Sequence, residues 1–142
     1  MTAPKRKRDV QLNLRVSPEE LAMIEQKMAQ LGTKNREAYL LMLTFENVLT
    51  MFRDYLGQDS EEEVLPCRRG YVRISWNSDS RYCVDGVLCR TPEELFDLLL
   101  QDYWDFELIR RTQGRREATE MDEKAVDELC QPYLDWRKEA LK

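Results

Sequence analysis

The sequence predicts an α+β protein, in which an N-terminal strand–helix–helix module precedes a small hairpin-plus-helices module. Three observations carry this. Residues 10–16 alternate strictly between apolar and polar, two stretches after them place apolar residues three and four apart, and residues 71–89 hold short strand-like runs broken by turns ahead of two more helical stretches. The expected domains are 1–57 and 58–142. The joint between them is Gly57-Gln58-Asp59-Ser60-Glu61-Glu62-Glu63, polar and anionic, with Pro66 just beyond.

In the first module Val10, Leu12, Leu14 and Val16 face one side, and Gln11, Asn13 and Arg15 face the other, the period-2 pattern of a half-buried strand. A helix follows from Pro18 with Leu21, Ile24, Met28 and Leu31 on one stripe, and Gly32 stops it. A second helix is expected from about 33–35 to Leu56, its stripe formed by Ala38, Leu41, Met42, Phe45, Val48, Leu49, Phe52 and Leu56. One strand leaves both its edges unpaired, and some 50 residues make a marginal core. Pairing with the same strand of a second copy repairs both defects and predicts a twofold homodimer.

In the second module 71–76 reads as a strand, 77–80 as a turn, 81–84 as the return, Asp85-Gly86 as a further turn and 87–89 as a short strand. Thr91 caps a helix to about Arg111, which 112–114 ends. A last helix spans about Glu120 to Cys130, where Pro132 breaks or kinks it before a turn or two through Trp136. The tetrapeptide Pro-Glu-Glu-Leu occurs at 18–21 and 92–95, each time after Ser or Thr. Both copies are a capping box, Ser17 with Glu20 and Thr91 with Glu94, with Pro at the first helical position.

Composition narrows the function. The 142 residues are 42% hydrophobic and 35% charged and include no His. A Ser–His or Cys–His nucleophile, a His general base and a His-ligated zinc are thereby excluded. Cys67, Cys83, Cys89 and Cys130 contain no C-x-x-C pair, so reduced, partly buried thiols are expected and no metal. No phosphate-binding Gly-rich loop occurs, and no enzyme activity and no cofactor are expected. No apolar window reaches the length of a membrane span, and the basic N-terminus leads into no apolar signal core. A cytoplasmic protein without a membrane partner is expected.

The net charge of −5 hides an asymmetry, since residues 1–36 carry +4 and residues 58–142 carry −7. A basic head on an acidic body points to two partners. Gln-Leu-Asn-Leu-Arg-Val at 11–16 followed by Ser-Pro-Glu-Glu-Leu resembles a ribbon–helix–helix DNA-binding module of the Arc and MetJ repressor type. The resemblance implies that Gln11, Asn13 and Arg15 read bases in the major groove of double-stranded DNA, where Gln and Asn suit adenine and Arg suits guanine. It also implies a phosphate at the start of the second helix, on Thr33, Lys34 and Asn35 with Arg36 nearby. Lys5, Arg6, Lys7 and Arg8 would follow the DNA backbone. Residues 5–40 are similar to the N-terminal half of mobilisation-protein C type relaxosome accessory proteins; beyond Leu40 the sequence departs from that family.

The helix after Thr91 is apolar on two faces. Leu95, Leu98, Leu99, Phe106 and Ile109 form its core stripe, and Leu100, Trp104 and Leu108 lie opposite, beside Asp97. Either this helix packs on the second helix of the first module, or Asp97, Leu100, Trp104 and Leu108 form a partner-binding face with Asp102, Asp105 and Glu107 as an acidic rim. The function expected is sequence-specific DNA binding in a mobile genetic element, as autorepressor or relaxosome accessory factor, with residues 58–142 either contacting a protein, a relaxase being one candidate, or stabilising the dimer. The alternative is an anti-CRISPR-like inhibitor of a host nucleic-acid enzyme such as a CRISPR nuclease, acting through the acidic module. An antitoxin is a weaker reading, because residues 58–142 are too rich in core residues to be disordered until bound.

Overall fold

The structure, a computed structural model, describes residues 15–30 and 36–141, the side chains of 36–43 excepted. Its elements are α1 (Pro18–Gln30), α2 (Arg36–Met51), α3 (Arg53–Gln58), β1 (Glu62–Cys67), β2 (Gly70–Trp76), β3 (Cys83–Cys89), α4 (Pro92–Thr112) and α5 (Glu120–Ala140). The described chain is α+β, with a three-stranded antiparallel sheet in the order β1-β2-β3. Met1–Tyr39 and Leu40–Lys142 form separate compact units.

In the first unit the Ser17 capping box is complete. The Ser17 hydroxyl accepts from the Glu20 N–H at 3.2 Å, and the Glu20 carboxylate accepts from the Ser17 N–H at 2.7 Å. On the α1 stripe Met28 is buried and Leu21 and Ile24 are half-buried. Residues 10–14 of the expected ribbon, and the Gly32 stop, lie outside the described residues; Arg15 and Val16 are exposed and carry no strand pairing.

The second unit begins at Leu40 rather than after residue 57. The reason is packing: Phe45, Val48, Phe52 and Tyr55 share one core cluster with Tyr71, Cys89, Leu95, Phe96 and Leu99. Phe52 meets Phe96 edge-on at 5.3 Å and stacks on Tyr133 at 4.7 Å. The expected single helix to Leu56 is interrupted at Phe52 (φ −95°, ψ 11°). The Thr50 hydroxyl donates to the Glu46 carbonyl just before the break, a back-bond that bends helices.

Two expectations in the sheet are corrected. The anionic joint at 57–63 instead ends α3 and begins β1, which pairs with β2 from Glu62↔Ser75 to Cys67↔Gly70. Pro66 and the glutamates are tolerated because β1 is an edge strand. Asp85-Gly86 is no turn but lies inside β3, opposite Ser75 and Ile74. The reversal is made at 77–82, where the Asn77 side-chain oxygen accepts from the Arg81 and Tyr82 N–H groups at 2.8 and 3.1 Å. Gly70, at φ 136°, sits where a Cβ would come within 2.2 Å of the Cys89 carbonyl oxygen.

Thr91 caps α4 as expected, accepting from the Glu94 N–H at 3.2 Å, and Gln113 closes the helix in the left-handed conformation. Leu95 and Leu99 are fully buried, but Ile109, placed on the core stripe, is 62% exposed. Pro132 does not end α5. Val126, Cys130, Tyr133 and Trp136 pack on both sides of it, and that burial outweighs the roughly 3 kcal/mol an interior proline costs.

Candidate functional site

The antiparallel pair α4 and α5 positions the candidate partner face. Asp97, Leu100 and Trp104 of α4 line a groove of about 350 Å³ together with Gln101, and α5 supplies Asp127, Cys130 and Leu134. The Trp104 indole N–H donates to Asp127 Oδ1 at 2.9 Å, which fixes the ring on the groove wall. At the other end Arg137 Nη2 lies 3.1 Å from Asp97 Oδ1. The floor is apolar and its two charged lining residues are both carboxylates. With Asp127 engaged by Trp104 and Asp97 by Arg137, such a groove suits an apolar anchor. Burial pushes the Cys130 thiol up to about 11, which keeps it protonated at neutral pH.

Leu108 is not part of this lining. It is half-buried, and its carbonyl accepts from the Thr112 hydroxyl at 3.0 Å. The expected acidic rim is also redistributed. Asp102 turns to Arg73 rather than to the groove, and the Glu107 carboxylate, 13% exposed, lies 3.4 Å from Arg110 Nη1. For Asp102 the reason is the helical period, which turns it to the face of α4 opposite Leu100 and Trp104; Glu107 is engaged by Arg110 instead.

Sequence reasoning missed the α5 half of the groove and the charge cluster around Arg73. Arg73 is 7% exposed, on the core side of the central strand. Its Nε lies 3.1 Å from Asp102 Oδ2, and its Nη1 lies 3.5 Å from Glu62 and 3.6 Å from Asp85. Nη1 also donates to the Ser75 hydroxyl, which donates to Glu62 at 2.7 Å. One guanidinium thus serves three carboxylates. Burial raises the Asp102 carboxyl to about 6 against the opposing pull of Arg73, and burial raises Glu62 as well. The signal was present in the alternation of 71–76, which places an arginine at an inward register position that needs carboxylate partners. The cluster joins all three strands to α4.

Of the DNA-contact residues, Lys5, Arg6, Lys7, Arg8, Gln11, Asn13, Thr33, Lys34 and Asn35 lie outside the described residues. Arg15 is exposed two residues before the α1 cap, and Arg36 is the first residue of α2. Among the described residues no group of three or more Cys, Asp or Glu side chains is placed to hold a metal ion, and no helix is long and apolar enough to cross a membrane. The chain matches no family model, no curated protein and no solved structure.

Proposed function

We propose that the protein is a homodimeric, sequence-specific DNA-binding protein of a mobile genetic element, an autorepressor or a relaxosome accessory factor. The observation that carries the reading is the Ser17–Glu20 capping box. It starts α1 directly after the alternating segment of the sequence, and α2 begins at Arg36, six residues after α1 ends, a helix–helix spacing that supports the reading. On this reading Gln11, Asn13 and Arg15 of two paired strands read base edges. Lys5 to Arg8 and the segment from Thr33 to Arg36 hold phosphates. The α4/α5 groove then serves a protein partner such as a relaxase.

Base readers and phosphate holders separate in a binding experiment. Alanine at Gln11, Asn13 and Arg15 together removes discrimination between cognate and scrambled duplex, each base-reading side chain being worth about 1–3 kcal/mol. Alanine at Lys5, Arg6, Lys7 and Arg8 weakens binding to both duplexes alike and flattens the salt dependence. Equal weakening on both duplexes from the first variant would refute the assignment of base readers.

A second reading is supported by one observation. The unit Leu40–Lys142 has its own core and carries 22 acidic against 14 basic residues. An inhibitor that occupies the cationic channel of a CRISPR nuclease would use such a surface. That activity would survive the triple alanine change.

A further inference from the structure

The strand register gives the sheet two faces. Tyr71 and Arg73 are buried on the core side. Val72, Ile74 and Trp76 point the other way, with Leu65 and Leu88 opposite Val72 and with Glu63 and Gly86 opposite Ile74. The Trp76 indole N–H donates to Glu63 at 2.9 Å, which fixes both on this outer face. Leu65 is 40% exposed, while Val72, Ile74, Trp76 and Leu88 are half-buried. None of the five belongs to the core cluster or to the side chains packed against it. An apolar band therefore crosses all three strands outside the core.

Charge is sorted along the strands. The β1–β2 tip carries Arg68 and Arg69, and Arg90 follows β3 at the same end. Glu94 near that end is already engaged, accepting from the Arg90 backbone N–H at 2.7 Å. At the opposite end lie Glu61 and Glu63 at the start of β1 and Asp79 in the 77–82 turn, with Arg81 the one cation among them. The sheet edges are poor joining surfaces. Pro66 and glutamates occupy β1, and a register shift at Ser75/Trp76 leaves Val84 unpaired on β3.

We propose that a second copy of this chain docks on the outer face, sheet against sheet, about a twofold axis lying between the sheets and across the strands. Only that orientation brings the arginine end of one copy over the glutamate end of the other; an axis along the strands would stack Arg68 and Arg69 on themselves. Leu65, Val72, Ile74 and Leu88 fill the middle, with the sheets about 10 Å apart. The interface is separate from the ribbon proposed above and does not rest on it.

The test is photo-crosslinking of the full-length chain carrying benzoylphenylalanine at Leu65, in a mixture of light and heavy isotope-labelled copies. Mixed-isotope cross-links are expected to fall within residues 62–90 of the second copy, whether or not the ribbon pairs. Val72→Glu should abolish them. Arg68→Glu with Arg69→Glu, at an exposed turn that leaves the fold intact, should strongly reduce them, and adding Glu61→Arg with Asp79→Arg should restore them. Cross-links confined to residues outside 62–90, or a yield that the Arg68/Arg69 reversal leaves unchanged, would overturn the proposal. A mass of two chains with no product at Leu65 would likewise overturn it while leaving the ribbon dimer standing.

Discussion

Asp122, in the first turn of α5, sits 5% exposed beneath two arginines. Its carboxylate accepts from Arg116 at 2.6 and 3.0 Å, from Arg111 Nε at 3.0 Å and from the Thr119 N–H at 2.9 Å. Arg116 and the Thr119 bonds hold its carboxyl well below the usual carboxylate range. A depressed carboxyl contributes stability above its unfolded value of 3.8, and that stability is lost as pH falls through the folded value. Asp122→Asn should therefore lower the melting temperature at neutral pH, and the difference from wild type should shrink in strong acid. Asp102 has the opposite sign. Its folded value of about 6 exceeds 3.8, so the folded state takes up a proton between those values and gains stability as pH falls from 7 towards 4. A pH series of thermal melts should show this rise in wild type and a smaller one in Asp102→Asn. An identical rise in both would remove Asp102 as its source.

At the scale of elements, local rules marked helix starts well and left interruptions hidden. The Ser17 box and the Thr91 cap were legible because capping is decided within four residues, but the second box stays open, since Glu94 accepts from the Arg90 N–H rather than the Thr91 N–H. The α5 start was legible, but the Thr119 cap and its reciprocal bond to Asp122 were not singled out. Thr119→Ala should cost about 1 kcal/mol, roughly 3 °C in melting temperature. The break at Phe52, the passage of α5 through Pro132 and the β1 strand were not legible, because each is settled by packing between segments far apart in the chain. Phe52 is the clearest case. It is fully buried against Phe96 and Tyr133, so Phe52→Ala should cost about 3–5 kcal/mol in denaturant unfolding. A destabilisation under about 1 kcal/mol, the scale of a surface change, would contradict its place in the core.

For the whole molecule, the charge division visible in the sequence follows the structural division closely but not at the same residue. The expected joint after residue 57 rested on polarity, whereas Phe45, Val48 and Phe52 belong by packing to the acidic unit. The groove was half legible. An α4 apolar on two faces announced Asp97, Leu100 and Trp104, while Asp127, Cys130 and Leu134 could be found only once α5 was laid beside them. The central claim is that this acidic body is carried on a DNA-reading head. Binding of the full-length protein to the duplex just upstream of its own gene, against a scrambled duplex across a salt series, tests it most directly. The account predicts tight binding to the upstream duplex alone, with log affinity falling steeply with log salt. Weak binding of equal strength to both duplexes would contradict it.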